Sequence, residues 1–233
     1  MTGDFYSIVE GRRTVRDFLP DPVPQEVLDR CLDAARTAAS SSNLQHWEYV
    51  IIRDPRKRAE ANAVCLSQKG PMTAPLLIAV VAHCDTWERT SRFMLETLKT
   101  RGILRPSQQD YWGAHIRLLY RNGPLGLLGL AKKLFSRISS LFHPVHNFLS
   151  RGDLRVLAHK STALSAATFM LALRAEGYDS CPMEGFDPWR AKRLLGLGRG
   201  AEVCMFLAVG KRGPKALWWE RILVPREWSV REL

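Results

Sequence analysis

Between Ser161 and Glu176 the chain carries Ala, Leu, Met and Phe on nearly every side of a helical wheel, and only Arg174 and Glu176 are charged. A helix apolar almost all round has no face to give to water, so it predicts a central helix covered on most sides. A second run, Pro75 to Ala82 (Pro-Leu-Leu-Ile-Ala-Val-Val-Ala), is short, β-branched and uninterrupted by polar residues. Its length and continuity predict a strand buried on both faces. A chain holding both must build a helix-and-sheet core of some size.

The other elements gather round these two. Phe5, Ile8 and Val9 have helical spacing, as do Val27, Leu28, Cys31, Leu32 and Ala35 after Pro24. The loop between them, Gly11 to Phe18, holds Arg12, Arg13 and Arg16. Ser40-Ser41-Ser42-Asn43-Leu44-Gln45-His46-Trp47 is a polar loop feeding a strand over 48–52. The spacing predicts a helix over 56–68, a strand over 203–209 that ends at Gly210, and a short strand near 178–181. Over 127–142, Leu127, Leu130, Ala131, Leu134, Ile138, Leu141 and Phe142 recur at three and four. Lys132, Lys133 and Arg137 fill the opposite side with no acid among them, predicting an amphipathic helix with a cationic face.

At 233 residues, 46% hydrophobic and 24% charged, the chain is neither a disulfide-stapled miniprotein nor a disordered or fibrous one. The longest strongly apolar stretches, over 74–82 and 123–131, are about half of the roughly 20 residues a bilayer-spanning helix needs. The first residues lack the basic head and apolar core of a secretory signal. Five widely spaced cysteines without a Cys-x-x-Cys pair read as reduced, buried thiols, the pattern of a cytoplasmic protein. The net charge is +11, and residues 101–151 supply eight basic residues against the single acid Asp110. That excess raises anionic partners, whether ligand, membrane surface or nucleic acid.

Standard nucleotide and metal motifs are absent: no Gly-x-Gly-x-x-Gly follows a strand, and neither a Walker loop nor His-Glu-x-x-His occurs. His143 and His146 have a spacing that could hold a metal but lack a nearby acid or thiol. Cys84 lies between His83 and Asp85 at a predicted strand end, where neighbouring side chains point apart. It reads as structural.

Four separated fragments remain: Arg12-Arg13-Thr14-Val15-Arg16, the serine loop, Cys181-Pro182-Met183-Glu184-Gly185-Phe186-Asp187-Pro188, and Arg221. In that order, after those helices and strands, they resemble the FMN-dependent nitroreductase family. The likeness covers most of the chain, with about 86–152 unmatched as a basic, partly amphipathic insertion in a single domain of residues 1–233.

The resemblance implies an α+β fold: a mixed, mostly antiparallel sheet flanked by helices, in a domain-crossed homodimer with two FMN sites at the interface. It implies that Arg12 and Arg221 hold the FMN phosphate, that Arg13 and Thr14 add loop contacts, and that Arg16 lies at the flavin pyrimidine edge. A cation there stabilises the negative charge that gathers when flavin is reduced. Ser40, Ser41 and Asn43 would reach the flavin of the second subunit. Pro182, Met183, Glu184 and Gly185 would lie along the isoalloxazine, with the backbone N–H of Glu184 meeting N5. Glycine allows that close backbone approach. Two positions depart from the family pattern: His46 stands where proline is frequent, and Trp219 where a lysine often precedes the terminal arginine. Lys69 reads either as a surface residue or as a second cation at the pyrimidine edge.

The activity implied is ping-pong transfer of hydride from NADH or NADPH, through FMN, to a small nitroaromatic or quinone acceptor. Two alternatives stay open. One is an FMN enzyme with a specialised acceptor. The other is a non-enzymatic module whose 101–151 segment grips a membrane or, less well suited, nucleic acid. Residues 123–142 have the composition of a helix in a membrane interface, which would place the protein at the membrane periphery.

Overall fold

The computed structural model describes residues 4–145 and 150–233; of the His143/His146 spacing, His146 therefore lies outside the described residues. Among the described residues four strands form the sheet: β1 (Trp47–Ile52), β2 (Leu76–His83), β3 (Asp179–Met183) and β4 (Ala201–Gly210), in the order β1-β2-β4-β3. All three pairings are antiparallel. The sheet is antiparallel where a mixed one was expected, with a lone parallel bridge from Thr14 to Ser180 beyond β3. β2 is buried along its length except at His83, because β1 and β4 flank it and helices cover both faces. β3 lies at the edge, so the missing N–H of Pro182 costs no ladder bond on its outer side.

One face of the sheet (Leu76, Ile78, Val80, Met205, Leu207, Val209) packs against α2 (Gln25–Arg36) and α9 (Arg151–Ala175). The other (Leu77, Ala79, Val81, Cys181, Met183, Phe206, Ala208) packs against α3 (Pro55–Val64), α4 (Lys69–Thr73) and α10 (Pro188–Leu194). α1 (Phe5–Gly11) leads into the arginine loop. The stretch after β2 holds α5 (Trp87–Thr100), α6 (Pro106–Asp110), α7 (Ile116–Tyr120) and α8 (Leu127–Ser139), and α11 (Arg226–Ser229) lies near the C-terminus.

Three elements differ from their sequence readings. The central helix starts at Arg151, ten residues before the apolar run, because Ser150 and Asp153 form a capping box: Asp153 N donates to Ser150 Oγ and Ser150 N to the Asp153 carboxylate. The helix over 56–68 ends at Val64, since Leu66 and Ser67 take left-handed conformations (φ 58° and 52°) and the chain restarts as α4. In α8 the lysine face is turned inward. Lys132 Nζ caps the end of α7 by donating to the carbonyls of Leu118, Leu119 and Arg121, and Lys133 pairs with Asp153 at 3.0 Å. Two of the three cations expected to meet anionic headgroups are thus engaged within the chain, while Arg137 and the apolar Leu127, Leu130, Leu134 and Ile138 are exposed.

Candidate active site

α1 ends at Gly11, and the following residues extend along the open side of β3, where Thr14 bridges Ser180 and Val15 N donates to Ser180 O (3.1 Å). That run fixes the directions of its neighbours. Val15 is buried, while Arg12, Arg13, Thr14 and Arg16 line a cavity of about 260 Å³ closed by Leu217 to Ile222, Arg221 included. Five of the predicted site residues therefore meet in one place. Arg221 Nη2 donates to the carbonyls of Glu10 (3.1 Å) and Arg12, and Arg13 Nη2 to that of Trp219 (2.6 Å). The Arg16 guanidinium lies over the Trp218 ring, 4.2 Å from its centroid.

Four guanidiniums face this cavity, and Glu220 is the one acid in its lining among the described residues. The Arg12 pKa is held below the usual arginine range, first by burial and then by repulsion from Arg221 and Arg13. A bound oxyanion would relieve that repulsion and accept the planar guanidinium forks, so the donor set fits a phosphate.

Pro182 and Met183 complete β3, and Glu184 and Gly185 leave it exposed. Met183 is itself buried in the core, so only its backbone can face a ligand on this strand. Gln68, which the sequence did not single out, ties the segment down: its Nε2 donates to Gly185 O (2.7 Å) and Cys65 O (3.0 Å). Lys69 is exposed. Its Nζ pairs with Asp17 at 3.0 Å, beside Arg16, and backbone and side-chain bonds from Lys215 and Lys69 hold the Asp17 carboxyl below the usual range.

The serine loop lies elsewhere. Ser41 N donates to Ser161 Oγ (3.3 Å), Ser40 Oγ accepts from Gln45 N (3.1 Å), and Asn43 Oδ1 accepts from Gln45 Nε2 (3.2 Å). Ser42, Asn43 and Gln45 all have positive φ, three non-glycine residues in conformations that tertiary contacts must hold. Tyr111 and Tyr120 supply part of that hold through hydroxyl contacts to Ser42 (2.8 Å) and Ser41 (3.4 Å). His46, where the family favours proline, is buried with Nδ1 2.9 Å from His83 O.

Two rulers separate the loop from the arginines. Gly11 packs on Arg174 and Ser41 on Ser161, thirteen residues apart on α9, which is ~20 Å at 1.5 Å per residue. Along β4, Ser180 pairs with Val209 near the arginine end, whereas Trp47 pairs with Ala82 and Ala82 with Glu202. Seven residues of strand span ~23 Å. Arg16 and Ser41 of one chain thus lie at opposite ends of the sheet.

The model of the Nitroreductase family matches residues 9–211. The chain belongs to the nitroreductase family. The nitroreductase match takes in the arginine run, the serine loop and β3 and stops short of Arg221. Among curated relatives, DrgA of Synechocystis is 31% identical over 90% of this chain and 84% of its own. The 4-nitrobenzoate reductase of Pseudomonas putida is 26% identical over 98% and 94%. Among solved structures, YdfN of Bacillus subtilis superposes with a TM-score of 0.77 at 24% identity over 98% of both chains. An Exiguobacterium sibiricum structure in complex with FMN gives 0.72 at 20% identity over 99% and 97%. As a nitroreductase-family protein the chain is an oxidoreductase, and the family's cofactor is FMN with NAD(P)H as reductant. The α+β fold expected from the sequence is the one found.

Proposed function

We propose that this chain binds FMN through the arginine cavity and passes reducing equivalents from NADH or NADPH to a small nitroaromatic or quinone acceptor. The observation that carries the reading is the convergence of Arg12, Arg13, Thr14, Arg16 and Arg221 on one cavity with a marked excess of guanidinium charge. Arg12 and Arg221 bind the phosphate, and Arg16, held flat by Trp218, places positive charge at the pyrimidine edge. The Pro182–Gly185 backbone, tied by Gln68, gives the ring system a fixed floor. FMN, when bound, supplies the two-electron chemistry, so no side-chain acid or base need act as the redox centre. The name of the Pseudomonas relative supports a nitroaromatic acceptor.

The protein works as a homodimer in this reading, because the ~20 Å of α9 between the contacts of Gly11 and Ser41 leaves the serine loop to serve the partner's flavin. Two further features support a second copy. α9 presents Val156 and Leu164 to solvent on the side away from the sheet, and Ile222, Leu223, Val224 and Trp228 are exposed near the C-terminus. Titration of apoprotein with FMN tests the assignment. Arg12→Ala should weaken binding roughly 10- to 100-fold, the equivalent of one charge-assisted hydrogen bond. Equal retention by variant and parent would show the cavity is not the phosphate site.

A further inference from the structure

A second cavity, of about 630 Å³, opens at the end of the sheet remote from the arginine loop, within the size range of small-molecule sites. Cys84 N donates to Gly200 O (2.8 Å) beneath it, and His83 pairs with Ala201. Nine residues of β4 therefore separate it from Gly210, ~30 Å at the rise of a strand. It is not part of the arginine cavity.

Its walls combine two kinds of surface. Trp87 and Tyr120, with ring centroids 5.9 Å apart and tilted by 35°, form with Leu154 an aromatic and apolar side. Opposite charge balance is lacking on the other side. Arg121, Arg151 and Arg199 line the cavity, and their guanidiniums have no hydrogen-bond, ion-pair or ring partner among the described residues. Arg155 is already engaged by Glu202 (2.6 Å), whose carboxylate also lies 3.2 Å from His159 Nε2. Asp85 is the remaining acid, and its carboxyl is packed on Gly200, in space that a Cβ there would fill. Beside the Arg155–Glu202 pair, three arginines without a partner among the described residues thus share the lining with Asp85.

From these residues we infer a second binding site, for a flat ring carrying an oxyanion, either an aromatic carboxylate or a nucleotide-like phosphate. Guanidinium forks match the planar oxygens of either group, and the ring lies against Trp87 and Tyr120. The choice between the two sources is made by experiment. Its lining shares no residue with the arginine cavity.

The test is calorimetric titration of the full chain, in excess FMN to fill the arginine cavity, with naphthalene-2-carboxylate in one arm and AMP in the other. The neutral alcohol 2-naphthalenemethanol serves as control. One or both anions should bind saturably with one equivalent per chain, the tighter arm naming the source, and the alcohol should bind at least tenfold more weakly. Arg121→Gln with Arg199→Gln, both exposed and outside the core, should weaken the anion at least tenfold, and Trp87→Leu should weaken it with the Arg residues intact. Circular dichroism and an unchanged unfolding midpoint confirm that the arginine variant is folded. Absence of saturable binding by both anions, or equal affinity in the double arginine variant, would overturn the inference.

Discussion

The Asp179 carboxylate, 3% exposed, receives two bonds from the Arg212 guanidinium, Nε to Oδ2 at 3.0 Å and Nη2 to Oδ1 at 2.8 Å. Arg212 Nη2 also donates to Gly11 O (3.2 Å), and Arg174 approaches Asp179 at 3.5 Å. The start of β3, the end of β4 and the exit of α1 are joined through one buried acid. Because Arg12 follows Gly11, this clamp sets the position of the arginine loop.

Asp179→Asn should therefore lower stability by about 3 kcal/mol, toward the low end for breaking a buried pair because Arg212 is one-third exposed. FMN affinity should fall with it. Urea unfolding monitored by circular dichroism reads the first, and FMN titration the second. A loss below about 1 kcal/mol, the scale of a surface pair, would show that the clamp does not hold the loop.

In the proposed function Arg16 acts on the reduced state of the flavin more than on its binding. Arg16→Gln should lower the FMN midpoint potential by on the order of 30–60 mV, the equivalent of ~1.4–2.8 kcal/mol for a two-electron couple. Trp218→Leu should move the potential the same way by less, since it frees the guanidinium without removing its charge. Spectroelectrochemistry of the FMN-loaded protein measures both. An unchanged potential in Arg16→Gln removes that residue from the chemistry.

Alkaline pH should destabilise the fold through its buried thiols. Burial pushes Cys31 and Cys65 up to about 12 from 9.0. Above pH 9 the unfolded chain releases these protons and the folded chain keeps them, so stability is full below pH 9 and falls as pH rises toward 12. Each thiol contributes a loss of about 1.4 kcal/mol per pH unit in that window. Urea midpoints at pH 8 and pH 10.5 should fall less in a Cys31→Ala, Cys65→Ala variant than in the parent. Parallel declines would mean that the two thiols titrate alike in both states.

His46 gives the opposite dependence. Burial lowers its pKa, and its Nε2 has no partner among the described residues. The folded chain keeps the ring neutral while the unfolded chain takes up a proton below about pH 6.5, so stability falls as pH drops through that value. His46→Phe should flatten the dependence between pH 7 and 5, read from thermal midpoints. A variant that tracks the parent would show that His46 is not the responsible group.

The sheet and its covering helices were legible because their signals are local: the β-branched run of β2, and the apolar faces of α2 and α9. The features that escaped are those set by partners far away in sequence. The charged first turns of α9 hide its start unless Ser150 and Asp153 are read together as a cap. The inward turn of Lys132 and Lys133 depends on carbonyls of α7 and on Asp153. At the candidate site, the arginine run and Arg221 could be named from the fragments, whereas Gln68, Trp218 and the Asp179 clamp could not. Each of these touches the site only after the chain returns across 117 to 202 positions, or 33 for Asp179 with Arg212.

The composite character of the flavin site is the central claim, and a mixed dimer tests it. One chain carries Arg12→Ala with Arg221→Ala, and the other carries Ser41→Trp with Asn43→Ala, each separately tagged so that the heterodimer can be isolated. Each homodimer should hold FMN poorly. The heterodimer joins the intact arginine cavity of one chain to the intact serine loop of the other, so it should bind one FMN per two chains with the affinity of the parent. A heterodimer that binds no better than the homodimers would contradict the account.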